Sequence, residues 1–319
     1  MSNKPATISI TSSARLHLGF FDLNGEQGRK FGSLGIALAQ PATQVLMEKS
    51  LESKAIGEDS TRALQVIQKI QHALSMPKTH GANIQIKQVI PAHAGLGSGT
   101  QLALAVGMAY SKLYDLNLQA HEIAQFTARG ARSGIGVGTF LYGGVVVDGG
   151  RGANTIMPPI IARANFPRDW RVILILDTSN QGVHGEQEVN AFNQLSPVSK
   201  TVAEMLCHLV LMQALPALAE QDLASFGVAV RALQIATGDY FSPAQGGRYA
   251  SPKVAQVLDW LAQQGVACAG QSSWGPTGFA IVDSQEKAQS FVNSLNVHFA
   301  FEKALSFVVT QAQHHGTIC

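Results

Sequence analysis

Cysteine is scarce in this chain, and so is charge. The 319 residues include three cysteines, Cys207, Cys268 and Cys319, far apart and in no C-x-x-C pair. That excludes a disulfide framework and a structural zinc site and fits a reducing cytoplasm. Charged residues make up 14% of the chain and nearly balance at a formal net charge of +2, so the total implies no polyanion-binding surface and no nucleic-acid partner. Long apolar runs are missing too. The N-terminal MSNKPATISI has no apolar core of signal-peptide length. The most apolar stretch, residues 205–218, is interrupted by His208, Gln213 and Pro216 and falls short of the ~20 residues that cross a bilayer. No membrane association is expected. With 46% hydrophobic residues, the composition is that of a folded soluble protein long enough for two domains.

Glycine is what the chain has in excess. Its 31 glycines gather in short stretches that read as loops touching a ligand rather than as a linker. The central one is residues 91–100, PAHAGLGSGT, in which Gly95, Gly97 and Gly99 alternate with small residues. A strand-like segment precedes it, and Leu102, Val106, Ala109 and Leu113 follow at helical spacing. Glycines let the backbone turn its N–H groups toward a ligand. The helix start adds unpaired donors and the positive dipole end, which suits an anion such as phosphate. An ordinary tight strand-to-helix turn has the same pattern. The loop is neither GxxxxGK[ST] nor GxGxxG.

Around this loop, residues 7–24 read as a strand on which Arg15 and His17 share a face, useful beside an anion or simply solvated at an edge. Asp22 to Gly25 reads as a turn, with Arg29 and Lys30 following in a glycine-flanked loop. Residues 32–39 and 43–50 read as two strands, and 59–74 as a plain amphipathic helix without a site. Residues 129–152 are the densest glycine region, flanked by Arg129, Arg132 and Arg151. They suit bidentate recognition of phosphate or carboxylate, or a glycine-rich hairpin near Gly143-Gly144 with solvated arginines. The pattern resets near residues 163–170, which puts a domain boundary between 1–165 and 166–319. Residues 177–188 read as a polar loop where His184, Glu186 and Glu188 could meet a cation, or where His184 is a hydrogen-bonded loop histidine. Residues 198–218 and 222–235 read as helices and 238–252 as a polar loop, with a helix starting at Ser251-Pro252. Residues 270–278 form a third glycine and serine loop between strand-like pieces, before a helix over 286–295 and a strand over 304–311. His314 and His315 are expected to be disordered or exposed and have no role.

Three signals stand in a definite order: an Arg-bearing strand, a GLGSG loop opening a helix, and a late QSSWGPTG loop. Together they resemble the GHMP kinase superfamily, whose members bind ATP phosphate on a PxxxGLGSS loop, and the resemblance covers nearly the whole chain. It implies an α+β, GHMP-kinase-like two-domain fold, with an N-terminal half like the second domain of ribosomal protein S5 and a ferredoxin-like C-terminal half. Within the superfamily, ARLHLGFFDLNG, GLGSGTQLALA, ARSGIGVGTF, GGVVVDGG and QSSWGPTGFA resemble the branch of β-ribofuranosylaminobenzene 5′-phosphate synthases. Two departures from the kinases separate the chain from them. Gly99 stands where GLGSS has its last serine, and Gly136 ends Ser133-Gly134-Ile135-Gly136 where PSGxD supplies a catalytic aspartate.

The branch implies condensation of 4-aminobenzoate with phosphoribosyl pyrophosphate (PRPP), with loss of carbon dioxide and pyrophosphate, for methanopterin biosynthesis and with Mg²⁺. The resemblance then implies that Gly95, Leu96, Gly97, Ser98, Gly99 and Thr100 cradle pyrophosphate. Arg15 and Arg29 become anion contacts, Asp22 a ribose or Mg²⁺ contact, Ser98 a second Mg²⁺ contact, and His17 a group that positions or polarises the ring substituent. Arg132 and Ser133 contribute from the second glycine region, while Gln271, Ser272 and Ser273 close the pocket from the other half. The rival readings are an ATP-dependent small-molecule kinase of the same fold and a catalytically retired nucleotide-binding regulator. A homodimer and a cytoplasmic location are fold-level expectations.

Overall fold

Buried and exposed side chains alternate over the first part of residues 8–20, and both faces are covered over the last part, so this strand leaves an open face and enters the centre of the molecule. The computed structural model describes residues 7–182 and 185–317. The first half consists of β1 (Ile8–Phe20), β2 (Ser33–Ser50), β3 (Lys54–Ile56), α1 (Ser60–Ala73), β4 (Gly81–Gln88), α2 (Ser98–Leu113), α3 (Ala120–Phe126), α4 (Ile135–Tyr142), β5 (Val145–Asp148) and β6 (Ile160–Ala164). The second consists of β7 (Arg171–Asp177), α5 (Gly185–Gln194), α6 (Lys200–Leu209), α7 (Leu215–Glu220), α8 (Leu223–Gln245), α9 (Pro252–Gln263), β8 (Ala269–Gln271), β9 (Gly278–Val282), α10 (Gln285–His298) and β10 (Leu305–Thr310). A π-helical turn, Val210–Ala214, joins α6 to α7.

In the first sheet the order is β3-β4-β2-β5-β6, with β1 also paired to β2. β1 runs antiparallel along β2, from Ile8 opposite Met47 to Phe20 opposite Ser33. The second sheet has the order β10-β7-β9-β8, antiparallel throughout, which is the 4-1-3-2 order of a ferredoxin-like βαββαβ unit. Helices α1 to α3 cover one face of the first sheet, through Ile67, Ile70, Val106, Tyr110 and Ile123. Its other face meets α6 to α8 and the second sheet in one shared core, where Phe226, Val230 and Leu233 of α8 sit against Leu16, Leu18, Leu174 and Phe279. Burying each such side chain contributes about 1.5–3 kcal/mol. Leu233→Ala would cost about 2–5 kcal/mol and open the seam between the halves.

Close approach explains several glycines. Gly19 has φ +130°, and a Cβ there would lie 2.9 Å from Thr237 Oγ1. That contact lets the Phe20 N–H reach the Thr237 hydroxyl (3.1 Å) and fixes the end of β1 against α8.

Several sequence expectations need correction. β2 is one strand across residues 33–50, not two, because β1 pairs with it along nearly its whole length. Residues 135–142 are helix α4 rather than part of a hairpin. Their glycines allow tight packing: an added Cβ at Gly138 would lie 2.5 Å from Ile160, and Ile135 itself fills the space beside Gly35. α8 continues to Gln245 through the expected polar loop, with Pro243 inside it. Glu188 lies on α5 rather than in a loop, and His184 lies outside the described residues. His315 is exposed as expected, but residues 311–317 are tied to the first half. Gln313 N donates to Ala37 O (2.8 Å), Gly144 N to Gln313 O (2.7 Å) and Thr317 N to Phe140 O (2.7 Å).

The run Lys200–Glu220 is 21 residues long and holds an 18-residue window of mean hydropathy 1.6, long and apolar enough by length and composition to cross a membrane, contrary to the sequence expectation. In this fold Leu206, Val210, Ala214, Ala217 and Leu218 of that run are buried in the shared core.

Candidate active site

After β4, the chain enters a loop in which His93, Gly95 and Gly97 have φ of 55°, 73° and 81°. Gly97 is the N-cap of α2 and supplies no side-chain cap. The N–H groups of Thr100 and Gln101 return to the Gly97 carbonyl. The N–H groups of Ser98 and Gly99, ahead of them in the first turn, have no intrahelical acceptor and stand at the positive end of a 16-residue helix.

The late loop locks this arrangement. The buried Ser272 hydroxyl donates to Gly95 O (2.7 Å) and accepts from His17 N (3.0 Å), while Ser272 N donates to Thr277 O (2.9 Å). One side chain thus ties β1, the glycine loop and the second half together. Gly95 leaves no room for a side chain, since a Cβ would lie 2.3 Å from Ser272 O.

Arginines flank the helix start. Arg15 Nη1 donates to Gly95 O (2.6 Å), and its Cγ lies 2.8 Å from where a Gly97 Cβ would be. Burial lowers its pKa to about 10, opposed by the negative charge of Glu188, so it stays cationic at neutral pH. Opposite, a Cβ at Gly99 would lie 2.7 Å from Arg62 Nη2 and 3.2 Å from Arg129 Nη1. Arg62 is held by Asp59 at 3.0 Å. Burial and then Arg62 lower the Arg129 pKa. Guanidinium groups on both sides of open N–H donors form a cradle for a multiply charged anion.

Beside the cradle lies an aromatic box. Phe20, Tyr240, Phe241 and Trp274 form its buried walls, with Phe31 and Phe192 packed against them. Phe241 and Trp274 stack at 3.7 Å, and the His17 ring lies 4.6 Å from Phe20. His17 is 2% exposed, and burial followed by the charge of Arg15 holds its pKa well below the usual value, so it is neutral at pH 7. Its Nδ1 accepts from Gly19 N (3.3 Å), which puts the proton on Nε2.

The remaining expected residues are placed differently. Arg29 donates from Nε to Gly149 O (2.8 Å) and from Nη2 to Gly150 O (2.7 Å), so it clamps the turn after β5 instead of reaching the cradle. Asp22 Oδ1 accepts from the N–H groups of Asn24 (2.9 Å) and Gly25 (3.0 Å) and so closes its own turn. Ser133 donates to Asp148 Oδ2 (3.0 Å), and Gln271 Oε1 accepts from Ala250 N (2.7 Å). Both side chains brace loops. Ser273, at φ 57°, donates its N–H to His17 O (3.4 Å).

Arg132 meets the box: its Nη1 is 2.6 Å from Glu188 Oε1, and its guanidinium carbon lies 3.9 Å from the Phe192 ring centroid. Among the described residues no group of three or more His, Cys, Asp or Glu is arranged to hold a metal.

Sequence reading missed Asp148, Arg62 and Phe192, and offered Glu188 only as a cation contact. Asp148 is fully buried, accepting from Ser33 Oγ, Ser133 Oγ, Gly134 N and Gly150 N; burial raises its pKa to about 6 against those hydrogen bonds. Arg62 sits on α1, which read as featureless. For Glu188 and Phe192 the usable signal was their four-residue spacing, which aligns them on a helix face.

Residues 61–144 match the family model described as GHMP kinases N terminal domain, and residues 214–300 the one described as GHMP kinases C terminal. The chain belongs to the GHMP kinase superfamily. Within that superfamily it is 38% identical over 323 residues to the β-ribofuranosylphenol 5′-phosphate synthase of Archaeoglobus fulgidus, covering 97% of this chain and 98% of the relative. To the synthase of the same name from Methanocaldococcus jannaschii it is 35% identical over 337 residues, covering 96% of this chain and 98% of the relative. The solved structure of homoserine kinase from Cytophaga hutchinsonii superposes with a TM-score of 0.71 at 20% identity, covering 100% of this chain and 98% of that one, a likeness of fold alone.

Proposed function

We propose that this GHMP-superfamily chain is an aryl-riboside 5′-phosphate synthase, which joins the anomeric carbon of PRPP to the ring carbon of a 4-substituted benzoate and releases carbon dioxide and pyrophosphate. The observation that carries the reading is the anion cradle lying beside an aromatic box, with Arg15 in the first and Arg132 against the Phe192 ring of the second. The relatives are named for a ribosyl phosphate carrying a phenol, a product that joins the same two chemistries. With 4-aminobenzoate the product is the aminobenzene riboside of methanopterin biosynthesis. With 4-hydroxybenzoate it is the phenol riboside.

The chemistry asks little of side-chain acids and bases. The C1′–oxygen bond breaks with its electron pair leaving on pyrophosphate, where the Ser98 and Gly99 N–H groups, Arg15, Arg62 and Arg129 meet the growing charge. The ring carbon bearing the carboxylate, made nucleophilic by the electron-donating group opposite it, bonds to C1′. The bond to the carboxylate then returns its electron pair to the ring as carbon dioxide departs, and aromaticity is restored. No proton is removed by the protein, which suits a chain with Gly136 in place of the kinase aspartate. The protein's contribution is positioning and charge.

Mg²⁺ fits this cradle as an ion brought in on pyrophosphate oxygens, the usual habit of that cation. The Ser98 hydroxyl at the helix start would hold it, while Asp22 is occupied in its turn. When bound, the ion would neutralise leaving-group charge.

The test is release of labelled carbon dioxide from carboxyl-labelled 4-hydroxybenzoate and 4-aminobenzoate, with PRPP and Mg²⁺ each omitted in turn. Release that needs both partners supports the synthase. No release, with ATP consumed when hydroxyl acceptors are added, would replace it with the kinase.

A further inference from the structure

Helix α5 inserts two of its own side chains into the site. Glu188 and Phe192 are one turn apart, so they project from one face. The Glu188 carboxylate sits 2.6 Å from Arg132, and its negative charge is also felt by Arg15 of β1 and by Arg129, three residues before Arg132. The Phe192 ring lies 3.9 Å from the Arg132 guanidinium carbon. It is edge-on to Phe20, Phe31, Phe241 and Trp274, at centroid distances of 6.2, 5.3, 5.6 and 5.3 Å. A benzene ring in an aromatic box with a carboxylate on an arginine is, in outline, an aryl carboxylate.

The rim of the box carries further polar groups. His17 Nε2, Tyr240 Oη and Trp274 Nε1 are buried and have no hydrogen-bond partner among the described residues. An indole N–H can only donate, and the His17 tautomer set by Gly19 makes its Nε2 a donor too. Buried donors left open in a native structure call for an explanation, and an absent ligand oxygen supplies one. A cavity of about 860 Å³ between the α5–α6 connection and α8 shares Tyr240 with the box walls, and Leu195 and Val198 with the side chains packed against them. Its size is that of a small-molecule site, and it leaves room beside the box for displaced side chains.

We propose that the aryl carboxylate acceptor binds by displacing Glu188 and Phe192 from the box, its ring taking the place of the phenyl group and its carboxylate the place of Glu188 on Arg132. The inference rests on the synthase reading and adds where the acceptor lies and what it competes with. α5 is then an internal competitor: it keeps the box dry and closed until an aryl carboxylate arrives. The donor-rich rim favours a 4-oxygen, which accepts hydrogen bonds, over a 4-amino group, whose protons meet donors.

The experiment is calorimetric titration of the intact protein with 4-hydroxybenzoate, 4-aminobenzoate and phenol, repeated on Arg132→Gln, Arg132→Lys, Glu188→Gln, Phe192→Ala and Phe192→Leu. Arg132→Gln removes a charged hydrogen bond and should weaken 4-hydroxybenzoate by about 10- to 100-fold, with Arg132→Lys recovering part of it. Glu188→Gln and Phe192→Leu should tighten it by roughly 3- to 10-fold by removing the competitor. Phenol should bind weakly to all of them, and 4-aminobenzoate less well than 4-hydroxybenzoate. Phe192→Leu keeps the helix filled if Phe192→Ala fails to fold. Unchanged or weaker binding in folded Glu188→Gln and Phe192→Leu overturns the proposal. Turnover of acceptor and PRPP with an acceptor KM indifferent to Arg132→Gln would overturn this site while leaving the synthase reading intact. Tight, Arg132-dependent binding without carbon dioxide release would do the opposite.

Discussion

Adding one methyl group at Gly95 tests whether the glycine loop is held by the second half of the chain, and Gly28 provides its control. Both glycines have left-handed backbones, at φ +73° and +82°. An L-residue in that conformation costs about 1–2 kcal/mol. At Gly28 an added Cβ meets nothing within 4 Å, so Gly28→Ala should lose only that amount. At Gly95 the methyl group would also lie 2.3 Å from Ser272 O and 2.9 Å from Gly275 O. Those are backbone atoms in a loop fastened by Ser272 N to Thr277 O and Gly275 N to Ser272 O, so they cannot swing aside as a side-chain tip would. Overpacking of this kind adds about 1–3 kcal/mol, for a total of about 2–5 kcal/mol. The shift would also pull Gly95 O away from Arg15 and Ser272. Urea unfolding followed by circular dichroism reads the stability, and calorimetric titration with Mg²⁺-pyrophosphate reads the cradle. Gly28→Ala should keep wild-type affinity, and Gly95→Ala should lose about tenfold or more, worth ~1.4 kcal/mol. If Gly95→Ala is no less stable than Gly28→Ala and binds as well as wild type, the clamp is refuted.

Asp148 gives a pH signature. Its folded pKa, near 6, lies above its unfolded value, so the folded state holds the proton more tightly and this group's contribution to stability falls as pH rises from about 4 to about 6. Two pH units correspond to about 3 kcal/mol, so the unfolding free energy of wild type minus Asp148→Asn should drop by roughly that amount between pH 4 and pH 7; a flat difference would show that the carboxylate is not buried as described. Arg62→Gln should weaken Mg²⁺-pyrophosphate by about tenfold with unchanged helicity, whereas equal affinity removes α1 from the cradle. Burial raises the thiol pKa of both Cys268 and Cys207. Iodoacetamide at pH 7.5 followed by peptide mapping should therefore mark Cys207 slowly and Cys268 only after unfolding, and prompt labelling of Cys268 would contradict its packing.

Much of this site could be read before the fold was seen, for a physical reason. A loop such as GLGSG before a helical pattern allows few conformations, because glycine at positive φ and an uncapped helix start constrain each other over a few residues. Arg15 and His17 were legible by strand alternation and Ser272 by its place in a late glycine loop. What was illegible depended on packing at a distance. The glycines of residues 134–138 read as turn formers, but they admit Thr100 and Ile160 against a helix. Nothing local says that Arg29 will be drawn to the Gly149 and Gly150 carbonyls, or that Asp148 will gather two serines 115 and 15 residues away. α8 outran its expected end because Tyr240 and Phe241 are buried in the box, which outweighs the helix-breaking tendency of Pro243.

Residues 311–317 change how the molecule must come together. They lie beside Ala37, Ala39 and Gly144, so the first sheet's central strand has part of its backbone unpaired until a segment some 270 positions later in the chain arrives. Such a contact closes late and at high entropic cost, which slows folding. The first half therefore completes its sheet only with residues supplied by the end of the second. During synthesis its sheet stays unfinished, and the anion cradle unformed, until Ser272 and then the returning segment have left the ribosome. Chains interrupted before that point would expose β2 and the apolar face meant for α8, making them substrates for chaperones rather than half-active enzymes.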